Sequence, residues 1–388
     1  MTTQIINGKI FTPAGWIENG SVLIDGMKIK RVLTSPEVIE GVDKVIDAKG
    51  DYVLPGGIDL HVHGGGGRDF MEGTEEAFKV AVEAHRAHGT TAIYPTLSSS
   101  SVKMIEDAAE VCQKMMDDPT SGVLGLHLEG PYFNPKMAGA QIPEFITPPI
   151  EKDYKMLVET YPCIKRWDAA PELPGAEEFA RYLTSKGVLA SLGHTAAEYE
   201  DVEKGYEAGF THATHFYNAM TGNHKVGVYK HAGTIESVYL KDGITVEMIA
   251  DGIHVPPVIM RLVHKEKGVE RVALITDSLA CAASDSKTAF DPRVIIEDGV
   301  CKLADRSAIA GSIATMDRLV KTAVQKAGLP LEDVARMTSE TPARIMGVYD
   351  KKGSIENGKD ADIMMYDKDL NLTGVVQMGR EIPVATEA

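Results

Sequence analysis

Between residues 57 and 345 the hydrophobic and polar positions follow two alternating rhythms. Short, nearly continuous apolar runs are separated by longer stretches in which apolar residues return every three or four positions. The first rhythm is that of a buried strand and the second that of an amphipathic helix. Eight strands are predicted: Gly57–Val62, Thr90–Pro95, Val123–Leu128, Ile164–Ala169, Val188–Gly193, His212–His215, Thr245–Ala250 and Arg271–Thr276. Helical stretches such as Thr74–His88 and Ser100–Met116 fall between most of them. Repeated strand–helix units build a parallel sheet, and eight of them favour closure into a barrel.

The two ends have a different rhythm. Gln4–Ile6, Gly20–Ile24, Lys28–Val32 and Lys44–Asp47 are strand-like, with Asn7-Gly8 and Asp25-Gly26 expected as hairpin turns. Ala361–Tyr366 and Leu372–Met378 are strand-like again, after the turn Glu356-Asn357-Gly358. The predicted fold is therefore α/β: a (β/α)8 barrel of TIM type over residues 55–345, with a small β-sandwich domain formed by residues 1–54 and 346–388.

Composition narrows the partners. A chain of 388 residues suits one large domain and a small one. Its formal net charge of −16 repels nucleic acid and anionic membrane, so neither is expected as a partner, and an anionic substrate needs a local cationic patch. Cys112, Cys163, Cys281 and Cys301 form no CxxC pair and are expected as reduced thiols in a cytoplasmic protein. The first ten residues lack the pattern of a signal peptide, and no apolar run is long enough to span a bilayer.

The strongest local signal is His61-Val62-His63, at a predicted strand end and followed by Gly64-Gly65-Gly66-Gly67. Residues two apart on a strand share a face, so both imidazoles can meet one ion. Glu129, His194, His215 and Asp277 each stand at the carboxyl end of another predicted strand, the face where such barrels carry their active sites. Imidazoles and carboxylates together suit zinc, iron or a related divalent ion. A divalent cation lowers the pKa of bound water, and a carboxylate beside it can take and return a proton. Asp277 fits that part, as ligand, proton acceptor or both. Other histidines are set aside: His85 and His88 as solvent-facing on a helix, His127 as packing, and His212 as lying on the opposite strand face from His215.

Pro55-Gly56-Gly57-Ile58-Asp59-Leu60-His61-Val62-His63-Gly64 resembles the signature of the amidohydrolase superfamily. His127-Leu128-Glu129-Gly130-Pro131, Ala170-Pro171-Glu172, Gly193-His194-Thr195, Thr214-His215-Phe216-Tyr217-Asn218-Ala219-Met220, Ala250-Asp251-Gly252-Ile253-His254, Thr276-Asp277-Ser278 and Ala310-Gly311-Ser312 follow in the order expected of the N-acetylglucosamine-6-phosphate deacetylase family. The resemblance spans residues 4 to about 370. It implies metal-dependent removal of the acetyl group from an amino-sugar phosphate, by a homodimer holding one or two divalent ions (Zn, Fe or Mn). Glu129, His194 and His215 would hold the main ion, and His61 and His63, with Glu129 bridging, a second. Asp277 would be general base and then acid, and His254 would polarise the acetyl carbonyl.

Ala140, Gln141, Asn218, Ala219, Asp251, Gly252, Ile253, Ile309, Ala310 and Gly311 match substrate-contacting segments. The family's phosphate-binding arginine has no counterpart in residues 221–233, where His224, Lys225, Lys230 and His231 are the cationic candidates. Lysine offers a point charge without arginine's bidentate fork. Other N-acyl amino sugars, N-acetylgalactosamine 6-phosphate or an unphosphorylated sugar among them, and a non-catalytic sugar-phosphate-binding role remain the rival expectations.

Overall fold

The computed structural model describes residues 1–286 and 289–385. Eight parallel strands form the central sheet in sequence order: Gly57–Val62, Thr90–Leu97, Leu126–Tyr132, Ile164–Ala169, Leu189–Leu192, Phe210–Ala213, Thr245–Ile249 and Val272–Ile275. The first and eighth meet at their carboxyl ends, where the Asp277 amide donates to the His61 carbonyl at 2.9 Å. Asp59 stitches the same seam by accepting from the Thr276 hydroxyl at 2.6 Å and its amide at 3.3 Å. The expected barrel is thus present.

A helix follows each strand, beginning with Glu75–Arg86 and Val102–Met116. Both start where the pattern predicts, because Thr74 and Ser101 cap the free amides of Ala77 and Met104 with their hydroxyls. The inward stripe of the first helix is Ala77, Phe78, Ala81, Val82 and His85. His85 is therefore buried, contrary to its expected solvent position. It sits one turn beyond Ala81 on the same face, and the glycine run leaves it room. Its Nε2 lies 2.8 Å from the Gly64 carbonyl, and a Cβ on Gly65 would approach that nitrogen to 2.8 Å. His88 lies beyond the helix end, partly exposed, against Asp317.

Two strands, the third and the sixth, shift at both ends by two or more residues. The third runs to Tyr132, so Glu129 lies within it, while Val123 makes only an isolated bridge to Ile93. The sixth stops at Ala213, before His215, whose φ of 29° takes it out of the ladder.

The terminal segments share one eight-stranded sheet. Thr2–Thr12, Gly15–Asp25, Lys28–Leu33, Lys44–Asp47 and Tyr52–Pro55 come from one end, and Ile363–Tyr366, Leu372–Gln377 and Arg380–Ile382 from the other. Ile363 pairs with Pro55 and Tyr366 with Tyr52, joining the two ends. Ile5, Ile10, Val22, Ile24, Val53, Ile363 and Val376 form its core. Asp25-Gly26 makes the expected turn. Asn7-Gly8 does not: the strand continues through it as a bulge, and the chain reverses between Thr12 and Gly15. Asn7 (φ 57°) bonds Asp47, and Gly8 passes so close to Val53 that a Cβ would sit 2.5 Å from its Cγ2. The expected terminal segment includes residues 386–388, which lie outside the described residues. Among those described, no helix is long and apolar enough to cross a membrane.

Candidate active site

Every ligand expected from the sequence is delivered to the carboxyl end of the barrel, and several arrive through strained backbone. His194, His215 and Asp277 have φ of 45°, 29° and 48°, and Tyr217 and Ala219 have 82° and 51°. Left-handed non-glycine residues are costly and persist where the surroundings over-determine them. Here His194, His215 and Asp277 each turn a side chain off a strand end into the barrel mouth. On the first strand the glycines do the turning: a Cβ on Gly64 would lie 2.3 Å from the Arg68 carbonyl oxygen.

Glu129 stands at the centre. Its Oε1 lies 3.0 Å from His194 Nε2 and 2.9 Å from His215 Nε2, and those two nitrogens are 3.1 Å apart. The far nitrogens face carbonyl oxygens, His194 Nδ1 that of Met137 at 2.8 Å and His215 Nδ1 that of Asn218 at 3.2 Å. Each Nδ1 must then carry the proton, so both Nε2 lone pairs and a carboxylate converge on one point. Three acceptors facing one another repel unless a cation lies between them, so this donor set fits a divalent ion.

The other carboxylate oxygen of Glu129 faces a second group. Glu129 Oε2 is 3.3 Å from His63 Nε2 and 3.8 Å from His61 Nε2, which are 3.2 Å from each other. Asp277 Oδ1 completes that side, 3.2 Å from His63 Nε2 and 3.4 Å from His61 Nε2. Gln141 donates to Glu129 Oε2 at 2.8 Å and accepts from the Ser99 amide, so it steadies the bridging carboxylate.

Burial alone would raise the acids and lower the histidines, but mutual attraction wins. Although burial opposes it, the histidines hold Glu129 well below the usual carboxylate range and Asp277 below it. Against the same burial, Asp277 and Glu129 lift His63 to about 9. Asp277 is thus an ionised carboxylate, able to accept a proton. His254 is buried too, yet its bond to Asp251 (Nδ1 to Oδ2, 2.7 Å) raises its pKa. Its Nε2 reaches the Ala310 carbonyl at 2.7 Å. With an acceptor at each nitrogen, His254 is held as an imidazolium.

These groups floor a cavity of about 510 Å³. Ala140, Gln141, Asn218, Ala219, His254, Ile309, Ala310 and Gly311 line it. Asp251, Gly252 and Ile253 do not; they form the turn that aims His254, with Asp251 accepting from the amides of residues 253 and 254. The four phosphate candidates lie on a separate ribbon, His224–Val226 paired with Tyr229–His231, and none lines the cavity. His224 and His231 face Glu198, while Lys225 and Lys230 are exposed. Among the described lining residues Lys136 is the only lysine or arginine.

Residues 52–384 match the amidohydrolase family. The chain belongs to the amidohydrolase family. It is 33% identical to the N-acetylglucosamine-6-phosphate deacetylase of Bacillus subtilis (strain 168), covering 96% of this chain and 95% of that protein. The crystal structure of the Pasteurella multocida N-acetylglucosamine-6-phosphate deacetylase superposes with a TM-score of 0.92 at 31% identity, covering 98% and 99% of the two chains. A variant of the Mycobacterium smegmatis deacetylase, solved in complex with N-acetyl-D-glucosamine-6-phosphate, gives a TM-score of 0.89 at 28% identity, covering 99% of each.

Beneath the site of this amidohydrolase lies a buried ionic layer that the sequence reading passed over: Arg166, Asp168 and Glu247, with His127 and His212. His127 packs there as expected, its Nδ1 3.0 Å from Thr96 Oγ1 and its Nε2 2.9 Å from Asp168 Oδ2. His212 stays out of both ligand groups, but it does not face away: it is buried 3.6 Å from Glu247 Oε2. The signal was legible, since Arg166 and Asp168 are opposite charges two apart, on one face of a predicted barrel strand.

Proposed function

We propose that this chain hydrolyses the N-acetyl group of N-acetylglucosamine 6-phosphate to glucosamine 6-phosphate and acetate, in amino-sugar catabolism. The observation that carries this reading is the convergence of Glu129, His194 and His215 beside Asp277, on the floor of a cavity of sugar-phosphate size. Glu129, His194 and His215 would hold one divalent ion, and His61 and His63, with Glu129 Oε2, a second; zinc, iron and manganese all suit such donors. A divalent ion bound there makes nearby water more acidic and polarises a carbonyl.

The chain's own groups do the rest. Asp277, ionised and at hydrogen-bond range of the site, takes the proton of the attacking water and later gives it to the departing amine. His254, charged through Asp251, would turn its Nε2–H from the Ala310 carbonyl to the oxygen on which negative charge develops. Lys136 supplies positive charge at the cavity wall, where it forms no ion pair among the described residues, and is the in-chain candidate to meet the phosphate. The ribbon of residues 224–231 exposes Val226, Val228 and Tyr229, a surface that suits a second subunit. The four cysteines are unpaired thiols, which suits the cytoplasm.

The test is acetate release from N-acetylglucosamine 6-phosphate, N-acetylglucosamine and N-acetylgalactosamine 6-phosphate, with metal analysis and with chelator. Fastest turnover of the first, lost on chelation and restored by metal, is expected. Equal rates with and without phosphate would overturn the substrate, and chelator-resistant turnover would overturn the mechanism.

A further inference from the structure

The three histidines His63, His194 and His215 are backed by neutral groups: the Ser98 hydroxyl and the carbonyls of Met137 and Asn218. His61 differs. Its Nδ1 lies 2.7 Å from Oε1 of Glu247, a carboxylate with no exposure to solvent. That acceptor fixes the proton on Nδ1 and turns the Nε2 lone pair toward His63, Glu129 and Asp277. The same Oε1 accepts from the backbone amide of His215 at 3.0 Å. One carboxylate therefore touches a member of each ligand group.

Glu247 is itself held. Arg166 donates to both its oxygens, Nη2 to Oε1 at 2.9 Å and Nη1 to Oε2. Arg166 is fixed in turn by Asp168, Ser191 Oγ, Thr214 Oγ1 and the Leu60 carbonyl. These groups come from the first, fourth, fifth and seventh barrel strands and the end of the sixth, and the charged ones are fully buried. Barrel interiors are ordinarily filled by aliphatic side chains, and a buried ion pair is a poor way to gain stability against such packing.

We propose that Glu247, anchored by Arg166, is a positioning residue for the ion held by His61, His63 and Glu129. A carboxylate behind an imidazole fixes its orientation and makes it a stronger donor. Glu247 thereby sets the affinity of that half of the centre, while the Glu129–His194–His215 half, whose imidazoles are backed by carbonyls and which Glu247 meets only through the His215 backbone amide, depends on it less. The proposal rests on the metal centre of the preceding reading, and not on the identity of the sugar.

The test is a Zn²⁺ titration of metal-stripped protein, followed by calorimetry and metal analysis, for the wild type, Glu247→Gln and the pair Arg166→Met/Glu247→Gln. The paired variant removes both charges, so a folding failure of the single variant from an unpaired buried arginine does not end the experiment. The wild type is expected to take up two equivalents. In the variants one equivalent should bind roughly 10- to 100-fold more weakly, as for other groups that support metal ligands, and the other should be unchanged. Turnover lost at limiting Zn²⁺ should return at saturating Zn²⁺, which a merely structural defect would not allow. A single equivalent in the wild type, unchanged affinities in the paired variant, or loss of both ions together would each overturn the proposal. The titration needs no sugar, so a protein that binds two ions as described but spares N-acetyl sugars defeats the proposed function and leaves this inference standing.

Discussion

Asp277 and Lys136 are single side chains whose chemistry can be separated from their packing. Asp277 is buried, ionised and within 3.4 Å of both His61 and His63, while the Glu129–His194–His215 group is complete without it. Asp277→Asn keeps the shape and removes the proton acceptor. Turnover is expected to fall by about 10² to 10⁴, the usual range for a lost general base, with thermal stability and the ion at Glu129 retained. Acetate release and metal analysis on one preparation check this, and near-normal turnover would take Asp277 out of the chemistry. Lys136 is exposed at the cavity wall and forms no ion pair among the described residues. Lys136→Ala is expected to raise KM for the phosphorylated sugar about tenfold, equivalent to about 1.4 kcal/mol of a charge-assisted contact, and to leave the unphosphorylated sugar unaffected. Equal effects on both sugars would assign the phosphate to other groups. Lys136 escaped the sequence reading because a lysine on a loop carries no periodic signal; only the folded cavity distinguishes it from its neighbours.

At the scale of elements, the glycine run after the first strand is the most exacting segment. A Cβ on Gly64 would meet the Arg68 carbonyl oxygen at 2.3 Å and Asp69 Cα at 3.0 Å, both backbone atoms that cannot swing aside. Gly64 also donates its amide to the Ser278 carbonyl, as does His63, next to the turn that carries Asp277. Gly64→Ala is expected to cost about 1–3 kcal/mol through overpacking and to weaken metal binding by displacing His63. Thermal unfolding with and without added metal separates the two effects, and an unaltered Tm would show that the turn can give. This segment was legible because HxH and four glycines are a compact pattern. The eight strands were legible for a similar reason: a parallel strand is buried on both faces and reads as an unbroken apolar run. Strand ends were harder. His215 was assigned to the sixth strand although its φ of 29° ends the ladder at Ala213, and Asn7-Gly8 imitated a hairpin while serving as a bulge over Val53. In both places a contact distant in sequence fixes the backbone, and local pattern holds no record of it.

Across the whole molecule, buried ionisable groups outside the ligand set couple stability to pH in opposing directions. Burial lowers His85 from 6.5 to about 4, and burial followed by the nearby Arg166 charge lowers His127 to about 4 as well. Burial raises Asp59 to about 7 and Asp69 to about 6. Between pH 6.5 and 4 the unfolded chain protonates the two imidazoles before the folded chain does, so their contribution is full above 6.5 and is lost as the pH falls. The two carboxyls hold protons more firmly when folded, so over the same range they gain stability as the pH falls. The net curve therefore hides each term, and a single variant exposes one. His85→Gln retains a donor for the Gly64 carbonyl but has no proton to gain. The stability advantage of the wild type over this variant is expected to shrink by about 3 kcal/mol between pH 7 and pH 4, at about 1.36 kcal/mol per pKa unit. Denaturant unfolding of both proteins at a series of pH values measures that difference directly. A gap that stays constant would mean that His85 takes up its proton in the folded protein as readily as in the unfolded chain.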